Sequence, residues 1–78
     1  MLTVEFEGKE IVLKEEASFV RDNSQEVKEN EMYWFEMKAK GICEGEEVEV
    51  YWKFYAKKGS EVYFDDYDYY DIDRVEEE

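Results

Sequence analysis

Five aspartates, Asp65, Asp66, Asp68, Asp71 and Asp73, crowd one end of this 78-residue sequence, with Tyr67, Tyr69 and Tyr70 set between them. Carboxylates at that density can ligate a hard cation, pass protons as an acid–base pair, or present a negative surface to something basic. A calcium loop places oxygen ligands at odd positions and a glycine at the sixth, where the chain turns sharply. Counted from Asp66, positions three and twelve are Asp68 and Glu77, but position five is Tyr70 and position six is Asp71. No metal site and no cofactor are expected from that pattern.

Catalysis has little to work with. The chain has no histidine, which removes the commonest general base and the commonest transition-metal ligand. Cys43 lies between two glycines, in a stretch that reads as a turn, with no imidazole to draw off its proton. A lone cysteine also rules out an internal disulfide framework and fits a reducing cytoplasm. Two carboxylates can hydrolyse glycosides only across a cleft, and nothing in so short a chain announces one. The expectation is a protein that is not an enzyme and has no catalytic residue.

The third use of the aspartates suits the charge. Aspartates and glutamates number 23 against 10 lysines and arginines, a formal net charge of −13. Such an excess repels nucleic acid and anionic membranes, opposes self-association beyond a monomer or weak dimer, and attracts basic surfaces. Most of it lies in residues 61–78, yet that stretch is no simple disordered tail. Val62, Tyr63, Phe64, Ile72 and Val75 are interleaved with the acids, whereas disordered tails lack such residues. If extended, the five aspartates would span about 26 Å, roughly one charge per 5 Å, sparser than the ~3.4 Å spacing of phosphates along one DNA strand. A second acidic row, Glu47 and Glu49 or Glu76 to Glu78, would bring the density near that of a duplex. The tyrosines would add flat contact area at low entropic cost and faces for arginine to stack on. The plainer alternative is a solvated face whose charge keeps an exposed strand edge from pairing with others.

The elements that must position these groups show the two-residue period of strands. Leu2, Val4 and Phe6 alternate with polar residues; Ile11, Leu13, Ala17 and Phe19 share a parity that Glu15 interrupts, which predicts a bulge or break near Glu15 and Glu16. Residues 23–30 read as a loop or a short helical turn. The strongest signal is a β-hairpin in which Tyr33, Phe35, Met37 and Ala39 form one face of the first arm, and Val48, Val50, Trp52, Phe54 and Ala56 one face of the second. Trp52 belongs to the core; Trp34 shares its face with Glu36, Lys38 and Lys40, and is either a binding anchor or part of a second small core. Residues 61–64 and the tyrosine-rich stretch after them are expected to be strands.

The fold class is therefore mainly β, a single acidic domain over 1–78. A small antiparallel meander of five or six strands is expected, as a curled sheet or small barrel, with the last two or three residues frayed. No signal peptide or membrane span is apparent.

In size and charge the chain resembles the small acidic proteins that phages and mobile elements direct against host nucleases, including anti-CRISPR and anti-restriction DNA mimics. The resemblance lies in bulk properties, so it implies a class of partner, the basic nucleic-acid-binding surface of a host defence protein, and assigns no residue roles. The alternative expectation is a small structural or accessory protein-interaction domain whose acidic face serves solubility.

Overall fold

The computed structural model describes residues 2–78, and they form one antiparallel sheet with two isolated 3-10 turns. Its strands are β1 (Thr3–Phe6), β2 (Lys9–Leu13), β3 (Ser18–Asp22), β4 (Met32–Cys43), β5 (Glu46–Lys57) and β6 (Arg74–Glu77). The expected meander is present, in the order β1-β2-β4-β5-β6 with β3 also paired to β4. It does not close, so the barrel alternative is set aside. The core face is covered instead by the segment between β5 and β6.

The β4–β5 hairpin is the spine. Its arms pair in unbroken register from Met32↔Lys57 to Cys43↔Glu46, and at ~3.4 Å per residue they account for the molecule's 44 Å long axis. Alternation places Phe35 opposite Phe54, Met37 opposite Trp52 and Ala39 opposite Val50 on one face, all buried. Val4, Ile11 and Leu13 extend this core across β1 and β2. Each large side chain so buried contributes about 1.5–3 kcal/mol relative to exposure.

The reversal takes only Glu44 and Gly45, at φ 50° and 81°. Both angles positive is the two-residue hairpin geometry that matches strand twist. Gly41 and Cys43, expected in the turn, belong instead to β4. Gly41 serves closeness: a Cβ there would lie 2.8 Å from Ile11 Cγ2 and 3.0 Å from the Val12 carbonyl.

β2 and β3 form one interrupted row against β4, with the break at residues 14–17 where Glu15 spoils the alternation. The Lys14 N–H still donates to the Lys40 carbonyl at 2.8 Å, while the Lys40 N–H turns to Glu15 Oε2 at 3.2 Å. A side-chain carboxylate thus accepts where the departing backbone cannot. The register then shifts between Phe19 and Arg21, and the helical turn expected near 23–30 is the 3-10 turn Ser24–Glu26.

Residues 61–64 are not a strand, contrary to expectation, and neither is 65–73: Phe64–Asp66 is a 3-10 turn, and pairing resumes only at β6. Asp68 accepts the Tyr70 N–H at 2.9 Å through Oδ1, and its carbonyl accepts the Asp71 N–H at 3.2 Å. Aspartates that bond their own neighbours' backbone divert a chain from a ladder, which outweighs the β-preference of the tyrosines.

Among the described residues no element covers the other face of the sheet, and that face is electrically balanced. Lys14, Arg21, Lys38, Lys40, Lys53, Lys57 and Arg74 stand there against Glu5, Glu10, Glu36, Glu47, Glu49, Glu76 and Glu78. Glu36, at its centre, is 5% exposed, held by Arg74 Nη1 at 3.1 Å and facing Arg21 Nε at 3.6 Å. The excess negative charge consequently falls on the covering segment, the β2–β3 break and the connections.

A candidate acidic interface

The covering segment is fastened by its tyrosines. Tyr67 stacks on Phe54 with centroids 4.8 Å apart and meets Phe35 edge-on at 5.2 Å. Its hydroxyl donates to the Tyr55 carbonyl at 3.0 Å, beyond the reach of β6, so it caps the outer edge of β5. Tyr69 lies edge-on to Trp52 and Phe54, each at 5.2 Å, and donates its hydroxyl to the Phe64 carbonyl at 2.7 Å. The indole N–H of Trp52 donates back to the Tyr69 carbonyl at 2.9 Å. Burial raises the phenol pKa of both tyrosines. Tyr63 hydrogen-bonds Glu61, which raises its phenol pKa likewise. Finally the Asp73 N–H donates to the Tyr51 carbonyl at 2.9 Å and leads the chain into β6.

With the rings of Tyr67 and Tyr69 turned inward, the acids between and beside them point out. Asp65, Asp66, Asp68 and Asp71 are exposed, and no ion pair among the described residues involves them. Tyr70 is exposed beside them. Asp73 is different, lying 3.4 Å from Arg74 Nη1.

The companion row expected from Glu47 and Glu49 is not on this surface. Both occupy the balanced face, Glu47 at 2.6 Å from Lys14 and Glu49 at 3.7 Å from Lys38. The hydrogen bond from Lys14 holds the Glu47 carboxyl below its ordinary pKa. Glu76 bonds Arg74 at 2.8 Å on that face, and Glu78 lies 3.9 Å from Lys40. Trp34 is there too, half-buried, with Lys53 Nζ 4.9 Å and Arg21 Cζ 5.7 Å from its ring centroid. The structure therefore divides the candidate residues between two faces and unites only those of the covering segment.

It adds two that sequence reasoning did not place there. Glu15 and Glu16 share the lining of one cleft with Asp65. Their signal in the sequence was the broken alternation, which marks a strand break but not what the break faces. The cleft, about 450 Å³, is floored by Leu2, Leu13, Ala17, Phe64 and Tyr69. Among the described residues, no cluster of acids and cysteine is arranged to hold a metal ion, and no helix is long and apolar enough to cross a membrane.

No protein-family model matches this sequence, and neither a similar curated protein nor a similar solved structure was found.

Proposed function

We propose that the protein is a non-enzymatic binding protein whose acidic face occupies the basic nucleic-acid-binding surface of another protein. A phage or mobile-element inhibitor of a host defence protein, of the anti-CRISPR or anti-restriction kind, is the class whose size and charge it shares. The observation that carries this reading is the segregation of charge: one face is balanced, while Asp65, Asp66, Asp68 and Asp71 stand outward on a segment bolted down by Tyr67 and Tyr69. A charge excess that served solubility alone would need no rigid backing. Fixed charges lose little entropy when a partner docks, and they meet complementary charges in register. Glu15 and Glu16, which share a cleft with Asp65, are the acids that would supply a second row in place of Glu47 and Glu49.

A pull-down from lysate tests it, comparing the wild type with a variant carrying Asn at Asp65, Asp66, Asp68 and Asp71. The wild type is expected to retain a nucleic-acid-binding protein that added DNA or RNA displaces and 0.5 M salt weakens, and the variant to lose it. Charge-dominated contacts are screened beyond about 8 Å at physiological ionic strength. Retention of the same partner by both forms at high salt would instead favour an accessory domain acting through the β3 edge. That second reading rests on exposed Phe19 and Val20, in a strand that among the described residues pairs with β4 alone.

A further inference from the structure

We propose that the cleft between the β2–β3 break and the covering segment receives an aliphatic, arginine- or lysine-bearing segment of the basic partner. This assignment rests on the acidic-interface reading and names what the partner must present. The floor is apolar, formed by Leu2, Leu13, Ala17, Phe64 and Tyr69, and three exposed acids, Glu15 and Glu16 of the β2–β3 break and Asp65 of the covering segment, complete the lining as its rim. Lysine and arginine have that same division within one side chain, an apolar stem ending in a cation. The volume, about 450 Å³, falls within the range of about 300–1,000 Å³ that binding pockets occupy.

Three details favour a cationic amphipathic occupant over others. Phe64 contacts the core through Phe35 at 5.7 Å yet is 42% exposed, so an occupant would cover apolar surface the fold leaves wet. Glu15 commits Oε2 to the Lys40 N–H, leaving its other oxygen for a second donor. Glu16 and Asp65 enter no ion pair among the described residues. Nucleic acid, anionic lipid and acidic peptides meet three carboxylates at the rim and are repelled. A second copy of this chain would bring its own charge of −13 to the same rim. The cleft would thus supply an apolar anchor beside a charged interface, and with it discrimination among basic surfaces that charge alone does not provide.

The test is amide-resolved NMR on the isotope-labelled protein with two synthetic peptides, one alternating leucine with arginine and one alternating serine with arginine. The leucine–arginine peptide is expected to shift the amides of Leu13, Ala17, Phe64 and Tyr69, and to bind about tenfold more tightly at 0.5 M salt than the serine–arginine peptide. The serine–arginine peptide is expected to shift only residues 65–71, at low salt. Ala17→Arg, which lays a cationic side chain along the floor, should abolish the difference between the peptides. The Glu16→Gln/Asp65→Asn pair, which alters the rim without touching the floor, should weaken the leucine–arginine peptide at low salt. If both peptides shift only residues 65–71, the cleft assignment is overturned and the acidic interface stands. If neither shifts any amide, both readings fall.

Discussion

At the scale of single residues, the most constrained polar group is the Glu36 carboxylate, nearly enclosed on a face that no element among the described residues covers. Its cover consists of side chains: Arg74, bonded to it and to Glu76, with Arg21 beside it. Removing one partner from a buried carboxylate costs more than replacing the whole set with apolar groups. Arg74→Met should therefore lower stability to urea by about 1–2 kcal/mol, below the full burial penalty because Arg21 remains. Adding Glu36→Leu to that variant should recover most of the loss. A double variant less stable than Arg74→Met would refute this account. The tyrosines set a second expectation. Because burial raises the folded-state pKa of Tyr67 and Tyr69, the neutral phenols favour the folded state. Their contribution is complete below the unfolded value of about 10 and is lost as pH rises through the folded values. Circular dichroism from pH 8 to 12 should show alkaline unfolding that Tyr67→Phe/Tyr69→Phe moves to higher pH, since phenylalanine cannot ionise. An unmoved transition would assign the alkaline limit to other groups.

At the scale of elements, the hairpin and the covering segment were unequally legible. β4 and β5 could be read from alternation because both arms bury one face along their whole length, and burial on one face fixes a period of two. The turn was misplaced because Gly41 resembles a turn glycine in sequence, although its role is to let β2 approach. Gly41→Ala should accordingly cost about 1–3 kcal/mol through overpacking against Ile11 and the Val12 backbone. An urea midpoint equal to that of the wild type would show that β2 can step back freely. The covering segment was misread as strand because its side chains serve two ends: tyrosines at 67 and 69 seek the core, while Asp68 beside them bonds local backbone. No periodicity records that competition. Residue type favours an outward position for the aspartates, but type does not tell that Asp73 turns to Arg74 while Asp65, Asp66, Asp68 and Asp71 enter no ion pair among the described residues. That Glu47 and Glu49 lie on the opposite face follows from strand parity, but only once the path of residues 61–73 is known.

At the scale of the whole molecule, one sheet separates two electrostatic environments. The balanced face holds its charges in ion pairs and in cation–ring contacts such as Arg74 over Tyr51 at 4.0 Å, and it contributes little to the net field. The covering segment, the β2–β3 break and the connections carry the repulsion. Screening should therefore stabilise the fold: raising sodium chloride from 20 mM to 0.5 M is expected to add about 1 kcal/mol, or about 4–8 °C in Tm for a domain this small. The variant with Asn at Asp65, Asp66, Asp68 and Asp71 should show less than half that gain, and an equal gain would place the repulsion elsewhere. The same sheet also separates the two tryptophans. Trp52 is fully enclosed beneath the covering segment and bonded to its backbone, while Trp34 lies on the balanced face between two cations. Their fluorescence is thus a pair of intrinsic optical probes, one for each face: lifting or loading the acidic segment changes the emission of Trp52, and events on the far side change that of Trp34.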